Sequence, residues 1–129
     1  MQLTEHRNEH QLFVRKADAR SVTVVDRVYT TSIVLAVERV IEDFAPRTVA
    51  ELDDAAVARV LELRPDVVLL GTGARIVFPP PRVLAAFLQR RVGCEALDHG
   101  AAGRTFNVLA GEGRNAVAVF LFDSGVSPA

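Results

Sequence analysis

The chain has one cysteine and no tryptophan in 129 residues. A lone thiol excludes an intrachain disulfide and is compatible with a reducing compartment. Set in an apolar run, Cys94 reads as a small core residue rather than a reactive group. There is no surplus of positive charge either: 15 Lys and Arg stand against 16 Asp and Glu, for a formal net charge of -1. The basic face that a nucleic-acid partner would require is therefore not signalled, and none is expected. Long apolar runs are also missing. Stretches such as Ser32 to Val37 and Val67 to Leu70 fall far short of the ~20 residues of a membrane span. The opening Met1-Gln2-Leu3-Thr4-Glu5-His6-Arg7 does not follow the basic-then-apolar order of a signal peptide. A cytoplasmic protein with no transmembrane segment is expected.

What is present is an ordinary globular composition, 50% hydrophobic and 24% charged, at a length suited to one domain. Residues 1–11 read as a loose N-terminal segment, 12–122 as a single α/β domain, and 123–129, rich in turn formers, as a flexible tail. The first half is β-prone, with short β-branched runs at Leu12 to Val14, Ser21 to Val25, Arg27 to Thr30 and Ser32 to Val37, and a tight turn at Asp26.

The rhythm then changes. Leu52, Ala56, Val60 and Leu63 recur at helical spacing, with Asp53 and Asp54 in the first turn and Arg64-Pro65 closing the helix. Val67 to Leu70 is apolar without alternation, as in a strand covered on both faces. A second helix starts near Pro80-Pro81, presents Val83 or Leu84, Phe87, Leu88 and Val92 inward, and exits at Gly93. Cys94 to Leu97 is a strand, Gly100 to Glu112 a third helix, and Asn115 to Phe122 a last strand. Alternation of this kind implies a three-layer fold with a central mixed, largely parallel sheet flanked by helices, to which the β-rich N-terminal portion adds edge strands.

Ligands of open α/β sheets bind beyond the carboxyl ends of strands, where Gly71-Thr72-Gly73 and Asp98-His99-Gly100 fall. An apolar strand running into Gly71-x-Gly73 resembles the start of a dinucleotide fingerprint. However, Ile76 holds the third glycine position, and Arg75 to Pro81 intervenes before the helix whose N-terminus would receive the pyrophosphate. No cofactor is expected. His6-Arg7-Asn8-Glu9-His10 matches H-x-x-E-H, but it lies in the polar N-terminal segment and reads as a solvated stretch, so no metal site is assigned. No serine sits in a nucleophile-elbow context. Asp98 reads as a helix cap, and His99 as a capping or loop residue.

On the third helix, Ala102, Phe106 and Leu109 share a core face, while Gly100, Gly103, Arg104, Asn107 and Gly111 populate another. Two readings stand. In one, the glycines allow tight helix-to-sheet packing, with Arg104 and Asn107 tying down the loop at Gly71 to Gly73. In the other, Arg104 with Arg75, Thr72 and backbone N–H groups holds a small anionic ligand. The candidate ligand-binding set is Gly71, Thr72, Gly73, Arg75, Asp98, His99, Arg104, Thr105 and Asn107.

Leu69-Leu70-Gly71-Thr72-Gly73, the prolines before the next helix, Gly100 to Leu109 and Glu112-Gly113-Arg114 together resemble a widespread family of small uncharacterised α/β proteins. Its relatives include mitochondrial complex I assembly factor three and the adipogenesis-associated domain protein. The resemblance implies a three-layer α/β fold and no established enzymatic activity. In relatives a cysteine precedes the arginine and a tyrosine the asparagine of the third-helix motif. Here Gly103 and Phe106 stand there, so no thiol or phenol chemistry carries over, whereas Arg104, Thr105 and Asn107 keep the pattern. A non-catalytic, assembly-factor-like module with a protein partner is the leading expectation, and an anion- or metabolite-binding protein the alternative.

Overall fold

A computed structural model describes residues 11–123. His6 to His10 and the end of the tail from Ser124 lie outside the described residues.

The elements run β1 (Val14–Ala17), β2 (Val22–Val24), β3 (Arg27–Tyr29), β4 (Ile33–Leu35), β5 (Val40–Ile41), a 3₁₀ turn (Val49–Glu51), α1 (Asp54–Leu61), β6 (Val67–Gly71), α2 (Pro81–Gln89), β7 (Gly93–Leu97), α3 (His99–Gly111) and β8 (Ala116–Phe120). Five strands form the central sheet in the order β5-β4-β8-β6-β7. Its parallel character is confined to β8, β6 and β7, while β4 and β5 extend it antiparallel. The expected N-terminal edge strands divide between two sheets. Of these only β4 joins the central one, where the unexpected two-residue β5 pairs with it, and β1, β2 and β3 form a separate antiparallel meander. No helix among the described residues is long and apolar enough to cross a membrane.

Alternation along the central strands sorts side chains into two cores. Val68 and Leu70 of β6, with Val117 and Val119 of β8, face α1 and α2 and pack with Val57, Val60, Val83 and Phe87. Leu69, Ala116, Ala118 and Phe120 point the other way, against Ala102 and Phe106 of α3 and Val22 and Val24 of the meander. Continuous burial of β6 and β8 thus follows from cover on both faces, and the three layers are α1 and α2, the sheet, and α3 with the meander.

Helix ends depart from the expected positions for identifiable reasons. Asp53 is the N-cap of α1, its carboxylate accepting from the Ala56 N–H at 2.9 Å, so only Asp54 occupies the first turn. Leu52 is the C-cap of the preceding 3₁₀ turn. α2 exits at Arg91 rather than Gly93. Arg91 takes φ 61°, its N–H donates to the Leu88 carbonyl, and the Val92 N–H donates to that of Phe87, which together make a Schellman motif. Gly93 already belongs to β7. Val83 and Phe87, four apart, take the inner face of α2. Leu88 falls off that face and is 73% exposed.

β1 is an edge strand of the meander, and α3 supplies the partner that its outer side lacks. The Asn107 side chain accepts from the Val14 N–H and donates to the Val14 carbonyl, both at 2.8 Å, standing in for a neighbouring strand. A Cβ on Gly103 would lie 2.9 Å from Val14 Cγ1, so the missing side chain allows β1 to rest on the helix. Asn107 therefore ties down β1, not the Gly71 to Gly73 loop. Gln11, expected in the loose segment, donates from its side chain to the Ala110 carbonyl at 2.8 Å. In urea denaturation, Asn107→Leu is expected to lower the unfolding free energy by about 2 kcal/mol, because it strands a backbone donor and an acceptor. An unchanged midpoint would show that β1 is held by packing alone.

Candidate functional site

The carboxyl ends of β6, β7 and β8 meet at one edge of the sheet. The Leu121 N–H donates to the Gly71 carbonyl and the Thr72 N–H to that of Leu97, so the ladder continues one residue past each strand before the chain turns away. Gly73 then takes φ 106°, a conformation that side chains disfavour. Its carbonyl accepts from the His99 N–H at 2.8 Å, and the Asp98 carboxylate caps α3 by accepting from the Ala101 N–H at 2.8 Å. Both expected strand ends are therefore joined at one point, and Asp98 caps its helix as the sequence suggests.

His99 is neither a cap nor a loop residue but is completely buried. Its Nδ1 lies 2.9 Å from the Asp18 carbonyl and its Nε2 3.0 Å from that of Leu121. Phe120 and Phe122 meet the ring edge-on, with centroids 5.4 and 4.6 Å away. Gly71 makes room for it: a Cβ there would lie 2.9 Å from His99 Cδ2 and 3.1 Å from Phe120 Cδ1. With both nitrogens engaged and no exposed edge, the imidazole is unable to reach a substrate. Asp18, whose carbonyl it holds, turns its carboxylate to the N–H groups of Arg20 and Ser21, and these bonds hold the carboxyl below its usual range.

Thr72 organises the loop that follows. Its hydroxyl accepts from the Val77 N–H at 3.0 Å and faces the carbonyls of Arg75 at 2.5 Å and Leu97 at 3.2 Å, to one of which it donates. Ile76, Val77 and Phe78 project from this loop, 47%, 48% and 79% exposed. Arg75 is exposed beside them. Arg104 is exposed on α3, its Nη1 lying 3.3 Å from where a Cβ on Gly100 would stand, and Thr105 is half-buried on the same helix. The structure thus brings Gly71, Thr72, Gly73, Asp98 and His99 together, and gives Asn107 to β1.

A cleft of about 750 Å³ opens beside this junction, lined by Thr72 and Gly73 together with Arg20, Arg47 and Thr48, over a floor that includes Leu121 and Phe122. Arg75, Arg104, Thr105 and Asn107 are not in its lining. Arg20, Arg47 and Thr48 went unnoticed in the sequence because they come from separate turns with no shared spacing. Among the described residues no group of three or more His, Cys, Asp or Glu is placed to hold a metal ion. Cys94, on β7, has its thiol pushed up by burial to about 12.

Residues 14–121 match the model of a family described as a protein of unknown function (DUF498/DUF598), and the chain belongs to that family. A Xanthomonas campestris protein solved by NMR is 35% identical over 98% of this chain and 96% of its own, with a TM-score of 0.84. A crystal structure from Bordetella parapertussis shows 29% identity, coverage of 88% and 97%, and a TM-score of 0.79. A Bordetella pertussis protein described as an Mth938-like domain shares the fold at 24% identity, coverage of 95% and 93%, and a TM-score of 0.75. No curated protein matches the chain. Membership in a family of small uncharacterised α/β proteins agrees with the resemblance carried by the Gly71 to Gly73 and Gly100 to Leu109 motifs.

Two outcomes are expected of these side chains. Gly71→Ala should cost about 1–3 kcal/mol in thermal or chemical unfolding, because the methyl group must displace His99 or Phe120; a neutral change would mean that the junction is loosely packed. At pH 8 the folded protein should alkylate at Cys94 roughly a thousandfold more slowly than the denatured chain, since a thiol titrating near 12 rather than 9 exposes that much less thiolate. Equal rates would place the thiol in solvent.

Proposed function

We propose that this domain is a non-catalytic, assembly-factor-like protein-binding module whose contact surface centres on the loop from Ala74 to Pro80. The observation that carries the reading is the apolar triplet Ile76-Val77-Phe78, held out into solvent by a built turn. Thr72 fixes the turn from within, and Pro79, buried, and Pro80, the N-cap of α2, restrict its far side. A loop already ordered in its binding shape loses little entropy on association. An exposed aromatic at its tip has the character of the anchor residues that dominate protein interfaces. Arg75, beside the triplet, supplies charge at the rim of the same surface, where it contributes more to orientation than to affinity.

Burial of His99 with both nitrogens on backbone carbonyls supports the non-catalytic part of this reading, since it removes the interior imidazole from the role of general base. The resemblance to an assembly factor supports the kind of partner, a protein that the domain holds rather than transforms.

A photo-crosslinking amino acid placed at Phe78, with the full chain exposed to native lysate, is expected to give a discrete adduct with one protein. Val77→Asp with Phe78→Asp should abolish affinity capture of that protein by the unlabelled chain. Its melting temperature should change by no more than about 2 °C, because the side chains are exposed. Absence of a discrete adduct, or capture unaffected by the double change, would contradict the reading.

A further inference from the structure

The cleft beside the Gly73 turn borders the apolar loop surface, with Ala74 and Val77 common to both, and has its own chemistry. Its volume, about 750 Å³, is that of a small-metabolite site. Its floor is apolar, with Val49, Leu121 and Phe122 each less than a tenth exposed. The groups above that floor are donors. Arg20 comes from the turn between β1 and β2, and Arg47 from the segment before the 3₁₀ turn. Their backbone N–H groups are taken by the carboxylates of Asp18 and Glu51, whereas their guanidinium groups form no hydrogen bond or ion pair with any described residue. The Thr48 hydroxyl does not cap the turn that it precedes. The consecutive N–H groups of Gly73 and Ala74, at the positive-φ bend, donate to no described residue. Among the described residues Asp123 is the single carboxylate in the lining, against two arginines. The Asp18 carboxylate, which also acts on Arg20, accepts two backbone N–H groups on its Oδ1 and is not in the lining.

Guanidinium groups bind oxyanions through paired, charge-assisted hydrogen bonds, and successive backbone N–H groups at a bend form a concavity suited to the same charge. An apolar floor adds a demand for a hydrophobic body on the ligand. We infer that the cleft binds a small organic oxyanion, a carboxylate or phosphate monoester attached to a short apolar chain, with Arg20 and Arg47 gripping the charged head and Leu121 and Phe122 receiving the body. Phe78, the tip of the apolar loop, is not in the lining of the cleft, so ligand binding and protein capture separate at that residue.

Amide spectra of the ¹⁵N-labelled full chain, titrated separately with hexanoate, hexyl phosphate, hexanol and hexylamine, test the assignment. Saturable shifts at the amides of Thr48, Gly73 and Ala74 are expected with hexanoate or hexyl phosphate, and the stronger of the two identifies the head group. Hexanol and hexylamine should bind at least about tenfold more weakly, because they offer no oxyanion to the arginines. Arg20→Glu with Arg47→Glu should reduce anion affinity at least as much. Both side chains are exposed, so dispersed spectra should persist, and the single changes Arg20→Gln and Arg47→Gln, each weakening binding, provide the same test should the double variant be unstable. Phe78→Asp should leave anion binding unchanged even where it abolishes protein capture. Absence of saturable shifts with both anions, equal binding of hexanol, or affinity indifferent to the arginines would overturn the inference.

Discussion

A single buried imidazole holds together three parts of the chain that are remote in sequence. His99 begins α3, one of its nitrogens meets the carbonyl of Asp18 in the β1–β2 turn, and the other meets that of Leu121 just past β8. Buried carbonyls need donors, and leaving one without a partner costs more than an ordinary hydrogen bond contributes. Because both partners are acceptors, a neutral ring satisfies one of them and a protonated ring satisfies both. Gly71 completes the arrangement by lacking the Cβ that would collide with the ring. The meander, the helix and the sheet are thereby fixed relative to one another.

The position of the cleft follows from that constraint. Arg20 lies two residues from the carbonyl that His99 holds, and Leu121, whose carbonyl is the second acceptor, forms part of the floor. Gly73, whose carbonyl accepts from the His99 N–H, lines the wall together with Ala74. Asn107 does for the other end of the meander what His99 does here, taking both backbone groups of Val14. Two polar side chains of α3 therefore replace the strand pairing that the meander lacks, and the cleft opens between the edge so fixed and the segment carrying Arg47 and Thr48.

Much of this was legible in the residues. The apolar runs of β6 and β8 announced strands covered on both faces, Pro80-Pro81 placed the start of α2, and Asp98 could be read as a cap because capping chemistry is local. Departures arose where tertiary contacts decide. Leu88 matches a helical period but lies on the solvent side, and the exit of α2 is set by Arg91 adopting a left-handed conformation that favours glycine, with Gly93 two residues further on. The two-residue strand Val40–Ile41 exists only through its pairing with β4. Separation of β1, β2 and β3 into their own sheet depends on Asn107, 93 residues from Val14. Of the candidate site, the glycines and Thr72 were visible as a motif. Arg20 and Arg47 were not, because no spacing along the chain relates two turns that meet only after folding.

The joining of meander, helix and sheet rests on the His99 clamp. His99→Phe keeps an aromatic ring against Phe120 and Phe122 while removing the nitrogens that face the Asp18 and Leu121 carbonyls, and urea denaturation measures what is lost. A decrease of about 1–3 kcal/mol in unfolding free energy is predicted, since one of the two carbonyls loses its donor and neither is offered another. A decrease below about 0.5 kcal/mol, the range of an ordinary surface substitution, would contradict it.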